Sequence, residues 1–238
     1  EKMSKKLDDN YAKIIRSVYP ILQQGEYLKF SVKPITETAE NITSVMGKFV
    51  AAANPIIRTV DLNNIGLFSR EIAELIDAGK LERIKQGYYR LAESENNSDA
   101  KLISDIYPDG VLCMTTALFY YGYSDRTPLT WDIAVDRNTS KARFNIDYPY
   151  VKPYYIEKAH LEYGVTEAIY EDCILKIFDR DRLICECIKH ENKMDREIYN
   201  KAIQSYINDG KKNITNLLNY AKRRNIHKKV RERIGVWL

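Results

Sequence analysis

Apolar and polar positions follow two different periods ahead of residue 55. Residues 8–24 carry apolar side chains at helical spacing, which predicts an amphipathic helix. Residues 26–33 alternate, which predicts a strand, and residues 38–54 return to helical spacing until Asn54-Pro55 stops the pattern. This part of the chain is therefore predicted to contain a helix, a strand and a second helix.

The stretch FSREIAELIDAGKLERIKQGYYRL, residues 68–91, predicts a short helix followed by a hairpin. Ser69 is expected to cap the helix, and Gly79 to end it in the left-handed conformation. Inward-facing positions are expected at Phe68, Ile72, Leu75, Ile76, Leu81 and Ile84, with the bend of the hairpin at Gly87. Upstream, IIRTVDLNNIG supplies a further short helix and a turn. Residues 56–79 are thus predicted to form a helix-turn-helix, and the hairpin to form its wing.

The start of the second helix leaves three side chains exposed, Ser69, Arg70 and Ala73. A duplex would meet them if this helix entered the major groove, where Arg can bridge two acceptors of guanine. Wing side chains can reach phosphates or a minor groove. The candidate DNA contacts are Arg58, Thr59, Ser69, Arg70, Ala73, Arg83, Lys85, Gln86 and Arg90.

Beyond residue 100 the pattern is mixed, and it becomes helical toward the end. We predict helices at 100–107 and 115–122, strands at 131–137, 150–157 and 168–178, and helices at 181–191, 195–208 and 214–224. The polar segment AESENNSDA, residues 92–100, is the best linker. The predicted fold is α+β. It comprises a helix/strand extension at 1–40, a winged helix-turn-helix domain at 41–92, a linker at 93–100 and a C-terminal mixed α/β domain at 101–238 that ends in helices.

Charge gives this prediction only partial support. Residues 54–93 contain six Lys/Arg and six Asp/Glu, so the predicted DNA-binding segment is locally neutral, although electrostatics supply most nucleic-acid affinity. A protein-binding or architectural winged helix remains the alternative.

Basic residues concentrate at the C-terminus. From residue 211 to 238 the chain carries nine Lys/Arg and one acid, whereas the whole chain has a net charge of +4. We name seven of them the C-terminal basic patch: Lys222, Arg223, Arg224, Lys228, Lys229, Arg231 and Arg233. The patch is either a solvated helix face or a surface that contacts DNA, RNA or an acidic partner.

Signals for catalysis are weak. His160, His190 and His227 are scattered in polar contexts, and neither a phosphate-binding glycine loop nor a nucleophile elbow is present. Asp132 and Asp136 share one strand face, which is a faint hint of a metal nuclease. Such a site also needs a third acid and a placed lysine, and spacing alone cannot guarantee them. We expect no enzyme activity, no metal and no cofactor.

Cysteine spacing and hydropathy indicate the compartment. The four cysteines show no C-x-x-C spacing and lie among apolar neighbours, which favours free buried thiols in a reducing cytosol. No apolar run is long enough to span a membrane, and residues 1–10 do not resemble a signal peptide. A cytoplasmic protein without a membrane partner is expected.

The motif at residues 66–91 resembles the winged helix of the AbiEi family, the antitoxins and autorepressors of type IV toxin–antitoxin systems in bacterial phage defence. The elements that carry this resemblance are Gly66, Ser69-Arg70, the segment 75–83 and the segment 87–91. Similarity continues through DIYPDGVLCMTTALFYYGYSDRTPLTWDIAVDR and YGVTEAIYEDCILKIFDRDRLICECIKHEN, so it covers about residues 54–225. The chain departs from the family pattern at Leu183, where a Thr is usual, and at Glu186, where an Asp is usual.

The resemblance implies a division of labour. The winged helix would bind double-stranded DNA at inverted repeats in the promoter of its own operon, with two copies on each operator. The C-terminal domain would counter a nucleotidyltransferase-like toxin without forming a stable complex with it. Residues 1–40 are not recognised as part of the core family, and the alternatives for them are an accessory subdomain and a dimerisation element. The alternative is a protein- or RNA-interaction module with no specific DNA reading.

Overall fold

The computed structural model describes residues 9–14, 56–92, 98–171 and 173–235. The chain divides into two compact units, Glu1–Leu102 and Ile103–Leu238. Residues 9–14 are helical, in agreement with the pattern at 8–24. The remainder of that pattern, the predicted strand at 26–33 and the predicted helix at 38–54 lie outside the described residues.

Over residues 56–92, the N-terminal unit folds into two short helices and a three-stranded antiparallel sheet. Strand β1 (Ile57–Arg58) leads into α1 (Thr59–Asn64) and α2 (Ser69–Asp77), and β2 (Leu81–Lys85) and β3 (Tyr88–Leu91) follow. The strand order is β1-β3-β2, so the first strand closes the hairpin at the outer edge of β3. Two consecutive helices with an adjoining ribbon confirm the predicted helix-turn-helix and its wing.

Apolar residues from every one of these elements meet in one core. Leu62 of α1, Leu67 of the turn and Leu75 of α2 are fully buried. Tyr11 and Ile14 of the helical segment 9–14 pack into the same cluster. Complete burial of each such side chain contributes about 1.5–3 kcal/mol, which holds α2 with its opposite face turned to solvent.

Two predictions for the start of α2 are wrong. The N-cap residue is Phe68, and Ser69 is the first helical residue; the carboxylate of Glu71 accepts the Phe68 N–H at 3.2 Å. Phe68 is 59% exposed because it lies outside the helix, where helical spacing does not determine the direction of a side chain. Leu67 takes the inward position instead.

The first wing strand contains an irregularity between Arg83 and Lys85. This bulge interrupts the two-residue alternation, so Leu81 and Ile84 are both buried although they are three positions apart. Gly79 and Gly87 adopt φ values of +66° and +84°, which confirms the predicted helix end and bend. The bulge also turns Lys85 inward, which the sequence pattern did not predict.

The C-terminal unit is built on a five-stranded mixed sheet. Its strands are β4 (Val111–Leu112), β5 (Trp131–Asp136), β6 (Val151–Ile156), β7 (Val165–Tyr170) and β8 (Cys173–Phe178), in the order β6-β5-β4-β8-β7. Strands β5 and β6 run parallel, whereas the strand predicted at 168–178 is a hairpin of β7 and β8 with Glu171 in the left-handed region.

The helices of the second half are α3 (Asp99–Ile106), α4 (Met114–Tyr120), α5 (Arg180–Lys189), α6 (Arg196–Asn208), α7 (Ile214–Arg223) and α8 (His227–Ile234). Helix α5 is buried from Asp181 to Ile188 and contacts α4, α6, α7 and α8, which makes it the centre of this unit. The α+β fold class and the helical C-terminus are confirmed.

Cysteine burial agrees with the sequence interpretation. Cys113, Cys185 and Cys187 are buried free thiols, and Cys173 is partly buried. Burial raises the pKa of the three buried thiols, which keeps them protonated. In the portions of the chain that the structure describes, no helix combines the length and apolarity that a membrane crossing requires.

Candidate nucleic-acid interface

Helix α2 presents a short polar face to solvent, which we call the reading face: Ser69, Arg70 and Ala73. All three are exposed, and the Arg70 side chain is 82% exposed. Ile72 and Leu75 fill the opposite side and fix the rotation of the helix about its axis. The first two turns of α2 are therefore available to a groove while the helix stays anchored to the core.

Arg70 is paired with an acid on its own helix. Its Nε lies 3.2 Å from Glu74 Oε1, one turn further along α2. Exposed pairs of this kind contribute only about 0.2–1 kcal/mol. The guanidinium can therefore exchange Glu74 for a base edge or a phosphate at low energetic cost.

Arg58 and Thr59 lie where β1 passes into α1. The Arg58 guanidinium donates through Nε and Nη2 to the two oxygens of Asp61, each at 3.0 Å. This hydrogen bonding lowers the pKa of the Asp61 carboxyl and raises that of Arg58. The Thr59 N–H donates to the Gly87 carbonyl at 2.9 Å, which ties the turn of the wing to the first turn of α1.

The wing is compact, and its basic side chains differ in accessibility. Lys85 is 8% exposed, and its Nζ lies 4.4 Å from the centroid of the Tyr88 ring. Arg90 pairs with Glu82, with Nε 2.7 Å from Oε2, and only 16% of its side chain is exposed. Arg83 and Gln86 are exposed. Of the wing residues proposed from the sequence, these last two are the accessible ones.

Sequence reasoning missed the carboxylates that accompany the arginines. Asp61 and Glu74 stand three and four residues after Arg58 and Arg70, a helical spacing that could have revealed both pairs. Glu82 lies directly opposite Arg90 in the register of β2 and β3, which became visible only with the pairing of the strands. The charge neutrality of residues 54–93 thus reflects specific ion pairs between arginines and carboxylates.

The C-terminal basic patch is less uniform than its sequence indicates. Arg224 is buried, and its Nε and Nη2 lie 2.6 Å and 2.9 Å from the two carboxylate oxygens of Glu186. Arg233 pairs with Glu191 at 2.7 Å, and Lys229 Nζ lies 3.8 Å from the same carboxylate. The exposed members are Lys222, Arg223, Lys228, Arg231 and Arg233. Arg224 therefore does not belong to a solvent-facing patch.

The residues considered for catalysis have structural contacts. Asp132 is 1% exposed and accepts hydrogen bonds from the Thr115 N–H and from the hydroxyls of Thr115 and Thr130. Asp136 caps the following turn through the Asn138 N–H. Among the described residues, no group of three or more His, Cys, Asp or Glu is arranged to hold a metal ion. His160 and His190 are partly buried, and His227 is exposed.

The order of β1, two helices and a hairpin defines this segment as a winged helix-turn-helix of the kind found in DNA-binding regulators. Residues 48–92 match the family model described as "Transcriptional regulator, AbiEi antitoxin". The match confirms the resemblance to the AbiEi family, whose members are regulatory antitoxins. No curated protein matches the chain. Similarity to the family beyond residue 92 stays a prediction.

Proposed function

We propose that this protein is a sequence-specific transcriptional autorepressor that also acts as the antitoxin of a type IV toxin–antitoxin system in bacterial phage defence. The match over residues 48–92 supports the regulatory and antitoxin parts. One structural observation carries the specific proposal: α2 exposes Ser69, Arg70 and Ala73 on one face while Ile72 and Leu75 anchor the other. Binding to operator DNA would place the protein in the cytoplasm.

Arg70 is the proposed base reader. It stands at the second position of α2, and the N-terminal residues of a recognition helix contact base edges. Its fork of donors fits the two acceptors of guanine in the major groove. Arg58 at the end of β1, and Arg83 and Gln86 of the wing, would contact the phosphate backbone. Arg90 would do so only after leaving Glu82.

A gel-shift titration tests this role. The DNA is the region upstream of the protein's own operon, and scrambled DNA of equal length is the competitor. We expect Arg70→Ala to weaken specific binding by about 1–3 kcal/mol and to relax specificity. Arg70→Lys should weaken it almost as much, because Lys keeps the charge and loses the bidentate geometry.

Arg196→Ala supplies the matched control, since it removes one exposed arginine from α6 in the C-terminal unit. This variant should bind the operator like the wild type. Equal binding of the wild type to operator and scrambled DNA, with no effect of Arg70→Ala, would remove the repressor assignment.

The antitoxin role would lie with the C-terminal unit, acting against a nucleotidyltransferase-like toxin without a stable complex. Co-expression separates the two roles: Arg70→Ala should still protect cells from the toxin, whereas deletion of the C-terminal unit should not. Loss of protection by Arg70→Ala at unchanged protein levels would contradict this separation.

A second candidate function is an interaction module with an architectural winged helix. Three carboxylates pair with Arg58, Arg70 and Arg90, and Lys85 is buried. A winged helix whose basic side chains are neutralised in this way has little general electrostatic attraction for DNA. Binding that ignores DNA sequence but is retained on a protein or RNA partner would favour this candidate.

A further inference from the structure

A cavity of about 420 Å³ is lined by residues of the C-terminal unit. Its lining includes Arg137, Lys189, Arg224, His160, His190 and Asn225. Cavities of about 300–1,000 Å³ accommodate small-molecule ligands. Basic and imidazole side chains dominate this lining, so its chemistry suits an anion.

The charges behind the lining do not cancel. Arg182 is fully buried, with its Nη1 2.6 Å from Glu186 Oε1, and Arg224 pairs with the same carboxylate. Two buried guanidinium groups therefore share one carboxylate. At the mouth, Glu157 pairs with Arg137 through Nη1 at 2.7 Å.

Lys189 adds a further cation. None of the described carboxylates lies within ion-pair distance of its ammonium group. Burial lowers the pKa of Lys189, and the neighbouring Arg224 lowers it further. A bound anion would relieve this repulsion between cations and would complete the pairing of the site.

The cavity lies beside the ends of two adjacent parallel strands. Arg137 follows the last residue of β5 and Glu157 follows the last residue of β6, and the Arg137 N–H donates to the Ile156 carbonyl at 2.8 Å. In α/β sheets, ligands bind outside the carboxyl ends of the strands. The topology thus agrees with the charge of the lining.

Tyr155 also lines the cavity and is 39% exposed. Its ring offers an aromatic surface on which a planar group can stack. We propose that this cavity, the anion cleft, binds a small phosphate ester of nucleotide size through its phosphoryl group. Lys189 and Arg137 hold the phosphoryl oxygens, and the imidazoles of His160 and His190 offer N–H donors.

Thermal unfolding of the full chain provides the first test. Melting temperatures are compared at constant ionic strength in chloride, inorganic phosphate, AMP and adenosine. Phosphate and AMP should raise the melting temperature because they bind the folded state, whereas adenosine, which lacks the phosphoryl group, should not. Lys189→Gln should abolish the increase, and Lys211→Gln, an exposed lysine outside the cleft, should retain it.

Calorimetric titration with AMP gives the matching affinities. Lys189→Gln should weaken AMP binding by about tenfold or more, as expected for a lost charge-assisted hydrogen bond. Arg137→Gln, at the exposed mouth, provides a second variant if Lys189→Gln fails to fold. Equal melting temperatures in phosphate and chloride, adenosine that binds as AMP does, or unchanged AMP affinity in both variants would overturn the proposal.

Discussion

The exposed arginine of the reading face is restrained by a single neighbouring carboxylate. Glu74 holds Arg70 along the surface of α2, so a phosphate or base edge has to displace it. Any DNA offers phosphates, whereas only the right sequence offers the bidentate base contact in addition. Glu74 is therefore expected to suppress non-specific binding more strongly than specific binding.

Glu74→Gln should increase affinity for scrambled DNA and reduce the ratio of specific to non-specific affinity. Removal of one competing charge should also steepen the salt dependence of non-specific binding by about one phosphate contact. Fluorescence anisotropy across a salt series measures both quantities. Asp77→Asn is the control, because Asp77 is an exposed acid at the end of the same helix. A steeper slope of equal size in both variants would show general charge, and not the Arg70 pair, to be responsible.

Sequence proximity decided which side-chain contacts could be foreseen. The capping of α5 by Asp179 and the pairing of Arg182 with Glu186 join positions three and four residues apart, a helical spacing that is visible in the sequence. The pair of Arg224 with Glu186 joins positions 38 residues apart on two helices. No local pattern distinguishes that arginine from its exposed neighbours, so its burial appeared only in the tertiary structure.

At the scale of elements, periodicity predicted whether a segment is a helix or a strand better than it predicted where the side chains of its first residues point. The helix-turn-helix, the hairpin of the wing and helices α5, α6 and α7 confirm the pattern. The cap at Phe68 and the bulge in β2 were missed because both depend on backbone geometry outside the regular period. The anion cleft was missed for a related reason: its lining comes from strand ends and helix ends that are distant in sequence.

The turn of the wing is sensitive to the addition of a single methyl group at Gly87. Gly87 has a φ of +84°, and its carbonyl holds the Thr59 N–H. A Cβ there would contact Thr59 Oγ1 at 3.6 Å, so backbone strain rather than a clash dominates. Gly87→Ala should destabilise the wing by about 1–2 kcal/mol.

Amide hydrogen exchange measures this effect locally, at residues 57–60 and 88–91. Exchange there should accelerate in Gly87→Ala and remain unchanged in Gly210→Ala, where the Cβ would meet no heavy atom within 4 Å and φ is not positive. Unchanged protection in Gly87→Ala would mean that the turn relaxes into another conformation without loss of the Thr59 contact.

At the scale of the whole molecule, the two units depend on different physical features. The N-terminal unit has a small apolar core of leucines, isoleucines and tyrosines. The centre of the C-terminal unit also contains charge, because α5 buries Arg182 and Glu186 among apolar residues. The sequence predicted a helix at 181–191, but the central position of α5 follows from its packing on four other helices.

Glu186→Gln tests how far the C-terminal unit depends on this buried charge. The substitution keeps the size of the side chain and leaves Arg182 and Arg224 without their carboxylate. These two arginines are only 0% and 7% exposed. Breaking a buried ion pair in this way typically costs about 3–5 kcal/mol, and thermal unfolding should reveal a loss of stability of that order.

Glu191→Gln is the control, because its partners Arg233 and Lys229 are about half exposed. This variant should change stability by less than about 1 kcal/mol. If both variants unfold at the temperature of the wild type, the cluster around Glu186 does not stabilise α5, and the packing of its apolar residues alone holds the unit together.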